Sequence, residues 1–128
     1  MRFTKKNKEY YLNSLKHVGQ ERVICAAVWY RDIPLKVNIP SNRNPYNINK
    51  GAVICGHRHP HCMWTMVALT GIKSVEPECG HYVQGFLTNC NRFVTRIEAG
   101  KIAWKAGQLQ RKPYFKGKWV EIYSEDLY

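Results

Sequence analysis

No apolar run in these 128 residues approaches the roughly 20 that a transmembrane helix needs, and the N-terminal MRFTKKNKEYYLNSLKHVGQ has charge without the apolar centre of a signal peptide. Disulfide scaffolding is not expected either, because the five cysteines are odd in number and lack framework spacing, which suits a reducing compartment. A soluble, intracellular protein follows as the expectation. Separated CxxC pairs and HExxH are missing, as are internal repeats and low-complexity segments. Acidic residues are scarce, nine against twenty Lys and Arg, and the net charge of +11 makes a surface that attracts nucleotides, nucleic acid, lipid headgroups or acidic proteins. Helix-turn-helix, zinc-finger and RNP patterns are lacking too, so a nucleic-acid partner would rest on charge alone.

What the chain does have is concentrated between Ala52 and Gly71, AVICGHRHPHCMWTMVALTG. Ala52 to Cys55 is a short apolar run that suits a buried strand, and Pro60 fits the first turn of a helix that Gly71 would cap in a left-handed conformation. Gly56, His57, Arg58 and His59 lie between them. Unpaired N–H groups and the helix dipole at such a turn favour an anion. Arg58 would add a fixed cation and Gly56 close access to the backbone, a combination suited to phosphate. The alternative is ordinary turn chemistry, with Arg58 and the histidines solvated. Cys55, His57, His59, His61 and Cys62 also resemble a ligand set, but a helix starting at Pro60 turns the last two away, so no metal and no cofactor are expected. Cys62 reads as a buried inert thiol rather than a nucleophile.

Along the chain, residues 1–20 read as a basic arm, helical from Glu9 to Gly19, followed by one domain over 21–128. Arg22 to Tyr30 reads as a strand, and Leu35, Val37 and Ile39 alternate with polar residues as a strand with one wet face. Ser41 to Gly51 has loop composition, and Lys73 to Gly80 is a polar connection. Tyr82 to Thr88 is a strand whose Gly85 signals a bulge or a close ligand approach. Thr95 and Glu98 form a capping box for a second helix, with Ala99, Ile102, Ala103 and Ala106 on one stripe and Gly107 at the end. Gly100 inside it suggests a close neighbour. Residues 108–118 read as a basic loop, Trp119 to Tyr123 as a closing strand and Ser124 to Tyr128 as an acidic tail. The predicted fold is α+β, one antiparallel or mixed sheet with two main helices packed on it.

QGFLTNCNRFVTRIEAGKIAWKAGQ at 84–108, the ending SEDLY and the GxRH crossing at Gly56, Arg58 and His59 resemble the phage-encoded Thoeris anti-defence family, type 1. The resemblance implies a sponge in the cytoplasm of an infected bacterial host. Such a protein binds a cyclic ADP-ribose isomer, or a cyclic oligonucleotide, and withholds it from the immune effector without cleaving it. A homo-oligomer, a dimer or a dimer-based hexamer, is also implied. Ile97 and Gly100 depart from the family pattern. The ligand carries a pyrophosphate and an adenine, so Gly56 and Arg58 are candidates for the first and Phe86 or Phe93 for stacking on the second, with His59 beside them as a further ligand-binding candidate, while Asn89, Asn91, Arg92 and Arg96 supply polar or cationic partners. Phe86 and Phe93 could equally be core, and Arg92 and Arg96 could pair with Glu98 or the acidic tail. Two other classes stay open. One is a histidine- or zinc-dependent phosphodiesterase built on His57, His59 and His61, and the other is a basic nucleic-acid-binding domain.

Overall fold

Strand β1 (Val23–Tyr30), VICAAVWY, is rich in β-branched and aromatic residues and is buried on both faces over Ala26–Tyr30. The computed structural model describes residues 5–73 and 79–128. In it β1 is flanked on both sides. β2 (Ala52–Gly56) pairs along one edge, Ala27 opposite Cys55, and β3 (Tyr82–Thr88) along the other, Ala27 opposite Gly85. β4 (Phe93–Thr95) follows on the far side of β3, giving an antiparallel sheet of order β2-β1-β3-β4. The α+β class expected from the sequence is the fold observed.

Alternation along β1 sends Ala26, Val28 and Tyr30 toward one layer and Ala27 and Trp29 toward another. The first layer holds helices α2 (His59–Thr70) and α3 (Arg96–Lys105), whose Cys62, Met66, Ala99 and Ala103 close the main core with Phe86 and Ile122. Burying a side chain the size of Phe86 contributes about 1.5–3 kcal/mol. On the opposite face a smaller cluster joins Ala27, Trp29 and Phe93 to Ile48 from the 41–51 loop. Gly71 caps α2 at φ 74°, donating its N–H to the Val67 carbonyl.

Several local expectations need correction. The helical arm, α1 (Lys5–Val18), begins at Lys5, making a third helix, and Gly19 does end it. Leu35 to Ile39 forms no strand: Pro34 and Pro40 bracket it, and Val37 is 80% exposed, so the alternation reports no buried face. The basic stretch 108–118 is not all loop: its end forms, with Trp119, a hairpin of β5 (Tyr114–Phe115) and β6 (Lys118–Trp119), turned by Lys116 and Gly117, both at positive φ. The closing strand ends at Trp119, and Ile122 enters the core from irregular chain. A 3-10 turn at Ser124–Asp126 folds the tail back on the body. Within Lys73 to Gly80, residues 74–78, including Pro77, lie outside the described residues.

The α3 cap is half the expected box, since Thr95 accepts from Glu98 N–H while the Glu98 carboxylate turns to Arg92. Gly100 is in close contact as expected, with its own chain: a Cβ there would lie 3.1 Å from Pro113 and 3.2 Å from Ile122. Ala99 and Ala103 are likewise used up in the protein's own core. At Gly85 it is β4, not a ligand, that approaches, because a Cβ would lie 2.1 Å from the Val94 carbonyl oxygen.

Candidate functional site

The strand–crossing–helix unit forms, with Arg58 as the N-cap residue of α2 and Pro60 in its first turn, but the expected buried strand is the half-buried edge strand β2, with Cys55 exposed. His61 turns back so that its Nδ1 accepts the Arg58 N–H at 3.2 Å. The Arg58 guanidinium lies over the Tyr128 ring, 4.9 Å from its centre, donates to the Tyr128 backbone oxygen and stands 3.9 Å from Glu125. One of its terminal nitrogens is buried without a hydrogen-bond partner. Tyr128 is seated in turn: its hydroxyl accepts from Ala26 N–H and donates to the His57 carbonyl at 2.7 Å. The cation proposed for an anion is therefore occupied by the chain's own C-terminal turn.

His59 does not face solvent. It is 5% exposed, its Nε2 donates to the Gly85 carbonyl at 2.7 Å, and its ring meets Phe86 edge-on. Nε2 must then carry the proton, leaving Nδ1 to accept from Arg96 at 3.5 Å. Burial lowers the His59 pKa from its ordinary value, and the Arg96 charge adds to this against the opposing Gly85 hydrogen bond. Arg96 also donates to Gln84 Oε1 at 2.5 Å and lies 4.8 Å from the Tyr123 ring centre, while its Nε is buried without a partner.

Phe86 and Phe93 are fully buried and present no face to a base, so both belong to the core. Asn89 fastens the start of β1, accepting from Arg22 N–H and donating to the Gln20 carbonyl. Arg92 is committed to a buried network: two of its nitrogens bond Glu21 at 2.7 and 2.8 Å, a third bonds Glu98 at 2.9 Å, and the guanidinium covers the Tyr11 ring. His57 and His61 stack on each other at 5.9 Å rather than facing across a cleft. Among the described residues, no three His, Cys, Asp or Glu side chains gather as a metal set.

Asn91 lies elsewhere. Held at φ 55° in the β3–β4 turn, it donates to the Tyr10 hydroxyl and lines a groove of about 780 Å³ between α1 and the 41–51 loop. This volume is within the range that takes a small molecule. Its floor is Trp29, whose indole N–H is held by the Lys50 carbonyl at 2.9 Å, and its rim includes the Tyr10 and Tyr46 rings, centres 4.8 Å apart. Lys6, Arg31 and Lys50 supply cations. Asp32 braces the last two, at 3.6 Å from Arg31 and 3.0 Å from Lys50. Carboxamides of Asn42, Asn44, Asn47 and Asn49 complete the wall, those of Asn47 held by both backbone groups of Phe93. The sequence hides this groove because SNRNPYNINKG has loop composition. The repeated Asn between Arg43 and Lys50 was the available signal, since carboxamides and cations on one loop are groups that a polar anion needs.

The sheet, the two covering helices and the C-terminal turn all fall within residues 22–128, while α1, one wall of the groove, lies before them. No curated protein and no solved structure matches this chain. Residues 22–128 do match the profile described as phage T4 y16D protein, and over that span, most of its length, the chain belongs to this phage protein family.

Proposed function

We propose that the protein is an anti-defence sponge that binds and sequesters a cyclic nucleotide immune signal, a cyclic ADP-ribose isomer or a cyclic oligonucleotide, without cleaving it. The observation that carries this reading is the groove at Trp29. It sets the Tyr10 and Tyr46 rings beside Lys6, Arg31 and Lys50 over the buried Trp29, with carboxamides between them, and so offers stacking to a base, charge to phosphates and polar partners to ribose. Among the described residues, those lining it include no carboxylate, imidazole or thiol, which supports retention of the ligand over its hydrolysis. The phosphodiesterase alternative loses its central histidine, because His59 is bound to Gly85 inside the core. Copies would assemble through the outer face of α2. There Trp64 and Leu69, 72% and 78% exposed, lie on a segment that bears no Lys, Arg, Asp or Glu, so two strongly cationic chains could meet on it without charge repulsion.

A basic nucleic-acid-binding surface is the second reading, favoured by the β5–β6 hairpin, where Lys112 lies 4.8 Å from the Tyr114 ring centre and Phe115 is 64% exposed.

The test is to purify the protein from cells with an active TIR signalling system, release bound small molecules by heat and identify them by mass spectrometry, with light scattering on the same sample. Intact cyclic nucleotide supports the sponge, a cleaved product the phosphodiesterase, and co-purifying nucleic acid the second reading. Calorimetry with the released ligand then compares Arg31→Ala with Arg58→Ala. Losing a charge-assisted bond of about 1.5–3 kcal/mol should weaken binding by about tenfold to a hundredfold in the first. A loss confined to Arg58→Ala returns the ligand to the α2 crossing.

A further inference from the structure

Three of the five cysteines, Cys62, Cys79 and Cys90, are sealed in the interior. Cys25 and Cys55 are not. The β1–β2 register sets Cys55 opposite Ala27, so Cys25, two residues before Ala27, projects from the same face of the sheet on the neighbouring strand. Cys25 is half-buried and Cys55 exposed, and both line a surface groove of about 420 Å³ with His57 and Tyr128. Neither thiol takes part in the core, and neither has a role in the groove at Trp29.

We propose that Cys25 is a modification site, a nucleophilic thiol that reacts with low-molecular-weight disulfides entering this groove, with Cys55 as the resolving thiol. In the first step the Cys25 thiolate attacks one sulfur of the reagent disulfide, forming a mixed disulfide and expelling the other half as a thiolate. In the second, Cys55 loses its proton and attacks the Cys25 sulfur, expelling the remaining half and closing a cross-strand disulfide. Two protein thiols are oxidised and one reagent disulfide is reduced to two thiols.

The groups facing Cys25 favour this assignment of roles. They are Cys55 on β2, His57 just beyond its end, Tyr128 of the C-terminal turn with Arg58 behind its ring, and Cys62 beneath the sheet. The Cys55 thiol beside it lowers the Cys25 pKa to about 7 against the opposing effect of burial, while Cys55 itself is pushed well above the ordinary thiol range, chiefly by Cys25. A thiol lowered in this way carries more thiolate near neutrality than an ordinary cysteine and attacks a disulfide faster.

Stopped-flow reaction of the folded protein with the chromogenic disulfide 5,5′-dithiobis(2-nitrobenzoate) reads both steps. The expected result is a fast phase that releases two equivalents of chromophore, leaves no adduct and produces a chain lighter by two hydrogens. Its rate should be half-maximal near pH 7. Cys55→Ser should retain one adduct on Cys25 and shift the half-maximal pH upward, and Cys25→Ser should lose the fast phase. Brief labelling of the wild-type chain with peptide mapping needs no variant. First labelling at Cys55, a half-maximal pH at the ordinary thiol value, or a stable wild-type adduct that never resolves would overturn the proposal.

Discussion

Glu21 is the perturbation with the largest consequence that the structure allows to be worked out in advance. Its side chain is 6% exposed and accepts four hydrogen bonds, from Tyr11 at 3.2 Å, Thr88 at 2.7 Å and Arg92 at 2.8 and 2.7 Å. It thereby joins α1, β3 and the β3–β4 turn. Glu21→Ala takes from Arg92, 11% exposed, its buried carboxylate partner and leaves it the half-exposed Glu98 and the Tyr11 ring among its contacts. Breaking a buried pair from one side costs about 3–5 kcal/mol. With an unfolding entropy of about 2.1 cal/mol/K per residue, a chain of this length should melt about 10–20 °C lower. Urea denaturation should show the midpoint fall at unchanged slope. The double variant Glu21→Ala with Arg92→Leu should recover part of the loss, because no unpaired charge is left behind. A cost below about 1 kcal/mol for Glu21→Ala would refute the reasoning, since it would mean that water already reaches the pair. The acid limb carries the same signature. Burial raises the Glu21 pKa, but the hydrogen bonds from Arg92, Thr88 and Tyr11 and the Arg92 charge together lower it further, to a net value below the ordinary one. The network's contribution is thus complete above the unfolded carboxylate value of about 4.3 and is lost as pH falls through the lower folded value.

Gly85→Ala should be far more damaging than Gly100→Ala in a thermal melt. At Gly85 the new Cβ meets the Val94 carbonyl oxygen at 2.1 Å, whereas at Gly100 it meets the Pro113 and Ile122 side chains at 3.1 and 3.2 Å, which can yield. Equal melting temperatures would mean that β4 can shift away from β3. His59 should add a second pH-dependent loss. Its folded pKa is depressed, so its contribution is present above the unfolded value of about 6.5 and is lost as pH falls through the folded one. Stability measured between pH 7.5 and pH 5 should decline in the native protein and decline less in His59→Gln; an identical decline in both would exclude His59 as its source.

The sheet's three long strands and both of its covering helices were legible because their signals are local. β1, β2 and β3 are apolar runs bounded by glycine or polar residues, and α2 and α3 carry Pro60, Gly71, Thr95 and Gly107 where a helix starts and stops. Leu35 to Ile39 is misleading because alternation reports a strand only when a neighbour pairs with it, and this stretch, bracketed by Pro34 and Pro40, joins neither edge of the sheet. The candidate site is less legible because a side chain's type does not reveal its partner. Arginines near a helix start suggest anion binding, but Arg92 found Glu21 from far along the chain, and Arg58 found the C-terminal turn. Phe86 and Phe93 are neighbours of candidate polar residues in sequence and yet occupy the two cores on either face of the sheet. Only Asn91 reaches the groove at Trp29, whose other walls come from α1 and the 41–51 loop and so depend on tertiary docking that periodicity does not encode.

The position of β1 between β2 and β3 sets an order of events during folding. Joining Tyr30 to Ala52 closes a loop of roughly 22 residues, whereas joining Tyr30 to Tyr82 closes one of roughly 52, a difference in closure entropy of about 0.8 kcal/mol. β2 is therefore the earlier partner, and while β3 is still being made or sought, the other edge of VICAAVWY stands open. An uncharged β-rich segment with an open edge is the kind of strand that adds to its own copies. Arg22 and Arg31 bracket it, and their charges repel a second chain in register during that interval, which gives both arginines a purpose before the native sheet exists.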